Sequence, residues 1–420
     1  MRKNAGKIAC LVDAYSTGAE LAKALYKLGW RLVHVQSGLT IPAAFKKTYD
    51  RDLFETNLIA AALSRSQLFS LLDNFKPAFV VAGSEPGVEL ADWISAALQL
   101  AGNDPHTSYL RRNKYAMSER LTQVGLDAVS QYQVTSRAQL LSALACLKVY
   151  PVVVKPVDSM GSENVRVCYD ECEALEAFEN ICGKENFVGN INNSVLVQEF
   201  LEGDQYLVNA VSIEGRHRVS EIWHEKRLNV RGVGNLYDYE TILPYEGSVQ
   251  GKLITYVTCV LDALGVRNGA SHSEIIVTSR GPVLIETGAR MQGGIVSKPI
   301  IEALGYSHMT LTLNRYIDPS RFFREINIEY RLNNFIRVVN LISEKSGVVV
   351  ENNSRTLLAT LPSFYLIART PEVGDLIPKT VDLSSKAGHI YLMHNNMNQL
   401  DKDYAQIRTW EKEHKLIVLS

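Results

Sequence analysis

Two glutamates, one arginine and two lysines are the residues of this sequence whose types and spacing could do chemistry. Glu274 and Glu286 lie in the stretch 273–294, SEIIVTSRGPVLIETGARMQGG, which reads as a β-hairpin. Ile275 and Val277 alternate with Glu274 and Ile276, and Val283 and Ile285 alternate with Leu284 and Glu286. Ser279-Arg280-Gly281 between them predicts a three-residue turn, with glycine at the left-handed position. That turn sets Glu274 directly across from Glu286, with Cβ atoms ~5 Å apart. It gathers Ile275, Val277, Val283 and Ile285 on the opposite, core face. Two carboxylates so placed repel unless a divalent cation lies between them or one is protonated. Arg290 follows Glu286 by four residues, past Gly288 and Ala289, and Gly293-Gly294 closes the stretch. Two oxygen ligands, a guanidinium and a glycine-rich exit suit a metal-bound phosphate. An ordinary exposed hairpin with charged edges is the competing reading of this stretch alone.

Lys155 stands at the end of an apolar strand predicted over 151–156, where Pro156 stops the ladder and lets the lysine project. Asp158, Ser159, Met160, Gly161 and Ser162 follow as a small-residue loop whose backbone N–H groups can fold over phosphates. The order is not that of a P-loop. Lys114 follows Arg111-Arg112-Asn113 at the head of a helix predicted over 115–124; a basic cluster there suits an anion, and a solvated basic patch is the plainer alternative. Glu85 lies in the loop 83–87 at a strand end and could hold a substrate ammonium. His272 reads first as a buried structural histidine and second as a substrate or phosphate contact.

The elements that must position these groups begin with strand, helix, strand over 8–12, 19–28 and 31–35. A helix at 65–75, a strand at 78–81 and a helix at 88–100 repeat the alternation. This predicts an open parallel α/β sheet with ligand loops at the carboxyl ends of its strands. The first strand is not followed by GxGxxG, so a dinucleotide site is not indicated. Further strands are expected at 165–168, 194–200, 206–213 and 219–224, and helices at 173–180, 251–264 and from 298 to Gly305. Residues 226–240 read as a polar loop. After ~320 the pattern turns to β, with strands near 336–341, 347–350, 364–369 and 389–394 and a loop over 370–379.

The chain of 420 residues is too long for one core and implies two or three domains. A net charge of -1 argues against a nucleic-acid protein driven by bulk electrostatics. The six cysteines make no CxxC pair and read as free thiols of a reducing cytosol. Neither a signal peptide nor a membrane span is expected.

In order, the chain offers a lysine opening a lid (Lys114), a lysine before a Gly/Ser loop (Lys155), a strand running into Glu199-Phe200-Leu201, two hairpin glutamates and an arginine. This order resembles the ATP-grasp superfamily over about 114–313, and the flanking α/β and β-rich parts match its usual architecture. The resemblance implies domains at 1–112 (N-terminal α/β), 113–203 (lid), 204–320 (central catalytic) and 321–420 (β-rich). It implies ATP with Mg²⁺, or Mn²⁺ in its place. Lys114 and Lys155 then hold phosphates, and Ser159, Met160, Gly161 and Ser162 close over them. Glu199, Phe200 and Leu201 resemble the adenine hinge. Glu274 and Glu286 resemble the metal ligands, and Arg290 the group that stabilises the transferring phosphoryl.

Two departures stand out. Gln205 replaces a glutamate that holds the ribose in many members, and Gly288 stands where many carry a metal-binding asparagine. Ser-His-Ser-Glu before the hairpin, Glu-x-x-x-Arg-x-x-Gly-Gly within it, and Gly-Asn-Asp-Pro before Arg-Arg-Asn-Lys resemble the carboxylate–amine ligase branch that includes the L-amino acid ligases. That branch implies amino acid substrates, an acyl phosphate intermediate and a cytoplasmic enzyme, without nucleic-acid or membrane partners; a homodimer stays open. Glu85, His272, Gly293 and Gly294 are the candidate substrate contacts. Two alternatives remain: a carboxylase-like or nucleotide-biosynthetic ATP-grasp enzyme, and an ATP-binding regulator without catalysis.

Overall fold

The strand Ile8–Val12 is buried at every position, because it pairs in parallel on both sides and carries helices on both faces. Its neighbours are Arg31–Gln36 and Phe79–Ala82, and Thr56–Ile59 completes a four-stranded parallel sheet. Helices Arg65–Phe75 and Val88–Ala97 bury Leu68, Leu72 and Ile94 on one face. Leu21 and Leu25 of Thr17–Lys27 share the other face with Met309 and Leu313 of His308–Ile317. That last helix, unforeseen from the sequence, ties the first sheet to the rest of the chain. The computed structural model describes residues 6–158, 163–186, 191–230, 234–383 and 385–420, so the loop Ser159, Met160, Gly161 and Ser162 lies outside the described residues.

A second sheet is antiparallel, in the order Gln131–Val134, Val195–Glu199, Val152–Pro156, Arg166–Cys168. Helices Arg137–Leu147 and Glu171–Ile181 cover it with Leu140, Leu144, Phe178 and Ile181. Lys155 does not project beyond its strand: it pairs with Leu196 inside the ladder and is 4% exposed.

The third sheet has eight antiparallel strands, in the order Gly281–Gly288, Gly269–Thr278, Asp204–Ile213, Arg216–Val230, Gly234–Leu243, Phe335–Leu341, Gly388–His394, Phe364–Arg369. The expected polar loop at 226–240 is instead the two long strands Arg216–Val230 and Gly234–Leu243, paired from Ile222–Leu243 onward. Their polar residues alternate because one face of the sheet is a lined cleft and not a dry core. Leu376–Ile377 adds a short strand within the expected loop 370–379. The 16-residue helix Met397–Lys412, also unforeseen, buries Leu400 and Ile407 against Val339, Ile390 and Leu392.

The hairpin turn differs in detail. Thr278 pairs with Gly281, leaving a two-residue turn, and a β-bulge between Glu274 and Ile275 absorbs Ile285. The bulge restores the register, so Glu274 does face Glu286. Between turn and bulge the strand is slipped by one residue. Leu284, not Val283, therefore pairs with Ile275 over the main core, and Val283 joins Leu201 and Val129 in a separate cluster.

Candidate active site

Lys114 is the first residue of the helix Lys114–Gln123, whose N-cap Asn113 accepts from the Ala116 N–H. Its Nζ reaches Glu286 Oε2 at 2.8 Å. Burial alone would lower its pKa, but Glu286, Glu85 and Asp158 hold it above the usual lysine value. Lys155 is compensated less fully. Burial first, then repulsion from Lys114, pushes it down to about 8 against the pull of Glu286 and Glu274. Two lysines so crowded suit a ligand that brings several negative charges.

Glu274 is ringed by donors. Gln205 Nε2 donates to its Oε2 at 3.1 Å, Arg227 lies 3.6 Å from the same oxygen, and His272 Nε2 lies 3.7 Å from Oε1. Burial would raise its pKa, yet His272, Arg227 and Arg290 hold it well below the carboxylate range. His272 in turn is fixed by Asn209: its Nδ1 lies 2.7 Å from Asn209 Oδ1, whose amide nitrogen donates to Glu221 and Gln292. Since Asn209 presents its oxygen, His272 Nδ1 carries the proton. His272 is thus buried and held by Asn209, beside a candidate metal ligand.

Arg290 donates from Nε to Glu85 Oε2 at 2.8 Å and from Nη1 to the Met291 carbonyl at 3.0 Å. Glu85 also meets Arg112 at 3.3 Å, and Arg112 bridges to Asp158 at 2.9 Å. Burial of Glu85 is outweighed by Arg290, Arg112 and Lys114, which hold its carboxyl below the usual range. Glu85, Lys114, Asp158, Glu286, Gly288 and Arg290 line a void of about 10 Å³. A Cβ on Gly288 would meet Glu85 Oε2 at 2.7 Å, so the Glu85 carboxylate fills the space that the asparagine of many ATP-grasp members would enter.

Glu199 accepts from the Ser130 N–H at 2.8 Å, and Arg280, in the hairpin turn, donates to it at 2.5 and 3.2 Å. Leu201 is buried against Val129 and Val283, and Phe200 is half-buried. Gly294 N–H donates to Ser16 Oγ at 3.1 Å, and Ser16 Oγ lies 3.5 Å from where a Cβ on Gly293 would stand. The structure thus brings Lys114, Lys155, Glu85, Gln205, His272, Glu274, Glu286 and Arg290 to one cleft. Glu199 with Leu201 marks one flank and the Gly293-Gly294 turn the other.

Sequence reasoning places Arg112 in a basic cluster and Asp158 in the small-residue loop without giving either a role of its own, and it misses Arg227, Glu225, Glu240 and Gln292. The period-two alternation of Glu225 and Arg227 across the start of the expected loop is the one available signal. Among the described residues, groups of three or more His, Cys, Asp or Glu that could hold a metal are absent. Two opposed carboxylates fit Mg²⁺, which keeps most of its coordination for water and substrate phosphates.

A model of the ATP-grasp domain matches residues 148–298. The chain is 33% identical to dapdiamide A synthase of Enterobacter agglomerans, over 98% of this chain and 97% of that one. This chain belongs to the ATP-grasp carboxylate–amine ligases. The L-amino acid ligase of Bacillus licheniformis superposes with a TM-score of 0.74 at 19% identity, covering 96% of this chain and 97% of that chain. Phosphoribosylglycinamide synthetase of Anaerococcus prevotii gives 0.66 at 18% identity, with 99% of each chain covered. These two likenesses speak for the fold. Like the other members, this ligase is an ATP-dependent enzyme, and the family generally uses Mg²⁺. No helix among the described residues is long and apolar enough to cross a membrane.

Proposed function

We propose that this ligase joins the carboxylate of an amino acid to the amine of a second amino acid through an acyl phosphate. The observation that carries the reading is the meeting of Lys114, Glu286, Glu274 and Arg290 in one buried cleft, with Lys114 2.8 Å from Glu286. In this reading residues 1–112 supply Glu85, 113–203 the phosphate lid, 204–320 the acidic hairpin and 321–420 a cover. The γ-phosphoryl passes from ATP to a carboxylate oxygen of the first substrate, releasing ADP. The amine of the second attacks the acyl carbon, phosphate leaves, and the amine nitrogen gives up a proton as the amide forms.

Lys114 and Lys155 bind the phosphates as point charges. Backbone groups of Glu199, Phe200 and Leu201 meet the adenine edge, since the Glu199 carboxylate is taken by Arg280 and Ser130. Glu274 and Glu286 would hold Mg²⁺, which neutralises charge building on the nucleotide phosphates. Arg290, held by Glu85, places its guanidinium where the transferring phosphoryl and then the tetrahedral oxyanion carry charge. Gln205 supports Glu274 and, through a weaker contact than a glutamate would make, the ribose. The name of dapdiamide A synthase, an amide-forming relative, supports the amide product.

An ADP-release screen over amino-acid pairs, with product masses, tests the reading. Glu274→Ala and Glu286→Ala are expected to remove most turnover. Near wild-type rates in either variant at saturating Mg²⁺ would show that the metal role is wrong.

A further inference from the structure

The face of the eight-stranded sheet that carries Glu274 does not end at the nucleotide cleft. Directly paired residues share a face. Gln205 pairs with Glu225, Glu225 with Glu240, Glu240 with Val338 and, one pleat further, Asn340 with His389. The same face therefore runs from the metal carboxylates to a second charged cluster. Lys386, just before the strand of His389, donates its Nζ to Asn340 Oδ1 at 2.8 Å. Arg369 pairs with His389 from the edge strand and is exposed. Gln292, two residues past Arg290, donates to Glu240 Oε2 at 3.2 Å and so joins this cluster to the catalytic loop.

The nucleotide site leaves this cluster unexplained. Glu240 and Lys386 sense each other's charge without forming an ion pair among the described residues. Burial pushes the Lys386 ammonium down to about 8, with Glu240 opposing and Arg369 adding to the fall. Asn340 is 2% exposed, and its Nδ2 has no hydrogen-bond partner. The amide cannot be turned round to relieve this, because only its oxygen can accept from Lys386. His389 Nδ1, on the paired residue, is also buried without a partner. An unpartnered N–H beside a buried ammonium calls for an acceptor that carries negative charge. Opposite it, Glu240 has no ion pair among the described residues and calls for a cation, whereas Glu225 already holds Arg227.

We propose that this cluster seats the amine-donating amino acid, with its α-carboxylate on Lys386, Asn340 Nδ2 and Arg369 and its α-ammonium toward Glu240. The proposal rests on the ligase reading above. Its polarity fits the chemistry. The amine donor keeps its carboxylate through the reaction and must deliver only its nitrogen. Glu240 is tied to Gln292, two residues past Arg290, whereas His389, beside Lys386, meets the same loop at Gly294, four residues past it.

The test compares L-amino acids with their L-amino acid amides as amine donors, and uses hydroxylamine to trap the activated carboxylate as a hydroxamate. Wild-type protein is expected to show a KM lower for the amino acid than for its amide by on the order of ten- to a hundredfold. Lys386→Gln should erase that preference by raising the amino-acid KM, and Lys386→Arg should keep most of it. If Lys386→Gln fails to fold, Arg369→Gln, at an exposed position, should narrow the preference in the same direction. A wild-type enzyme without the preference overturns the proposal, as does a folded Lys386→Gln that loses amino acid and amide equally. If no carboxylate yields a hydroxamate with the wild type, the ligase reading itself has failed and the proposal falls with it. Hydroxamate formation with an unchanged preference rejects the proposal alone.

Discussion

Arg290 sits at the residue where charge, geometry and chemistry meet. Its Nε is committed to Glu85, which fixes the plane of the guanidinium. Lysine there would keep the charge but lose the fork. Arg290→Lys is expected to lower kcat on the order of a hundredfold to a thousandfold, since donors that act in the transition state act on kcat. ATP affinity should move little. A large fall in melting temperature with unchanged kcat in the folded fraction would reduce Arg290 to a structural role. Lys155 makes a pH-dependent prediction. Its folded value of about 8 lies below the ordinary 10.5, so the unfolded chain binds more protons between these values. This group therefore adds stability as pH rises through that window. Phosphate attraction runs the other way, because the charge is lost above about 8. Affinity for an ATP analogue should fall from pH 7 to 9.5 at fixed ionic strength, and Lys155→Arg should flatten the fall. A flat wild-type profile would place the phosphates away from Lys155.

At the scale of elements, the close approach of the hairpin to the loop holding Glu85 decides how Arg290 is held. Gly288 leaves room for the Glu85 carboxylate, and any Cβ there would force it aside. Gly288→Ala is expected to lower turnover by roughly tenfold or more, through loss of an ion pair that orders the guanidinium, with little change in melting temperature. Comparing it with Glu85→Gln checks the cause: similar losses that do not add would show one shared contact. Losses that multiply would mean that Gly288 acts through something else.

At the scale of the whole molecule, the cleft is assembled from all parts of the chain: Glu85 from the first sheet, Lys155 from the second, and Glu274, Glu286 and Glu240 from the third. A ligand that bridges these parts should stabilise them together. An ATP analogue at a hundred times its Kd would add about 2.7 kcal/mol to the state that binds it. Thermal melts are expected to rise by a few degrees with analogue and Mg²⁺ together. Chelation with EDTA should remove most of the gain and stop ADP release. A rise of equal size without a divalent ion would argue against Glu274 and Glu286 as its ligands.

The sequence by itself determined the parallel first sheet, because Ile8–Val12 is an unbroken apolar run between helices, and it determined the pairing of Glu274 with Glu286. It reached that pairing through a turn one residue too long. Turn length and bulge offset each other, and strand alternation cannot see the slip that moved Val283 off the main core. It also named Lys114, Lys155 and Arg290, whose local contexts are distinctive. What only the tertiary structure decided were contacts between residues far apart in the chain. Glu85 and Arg290 are 205 positions apart, and Asn209 and Gln292 are 83 apart. The same holds for the strands Arg216–Val230 and Gly234–Leu243. Their polar residues looked like a loop because, in isolation, a strand that lines a charged cleft has the composition of one. Only the neighbouring strands show that Glu225 and Glu240 point inward, Glu225 to Arg227 and Glu240 to Gln292.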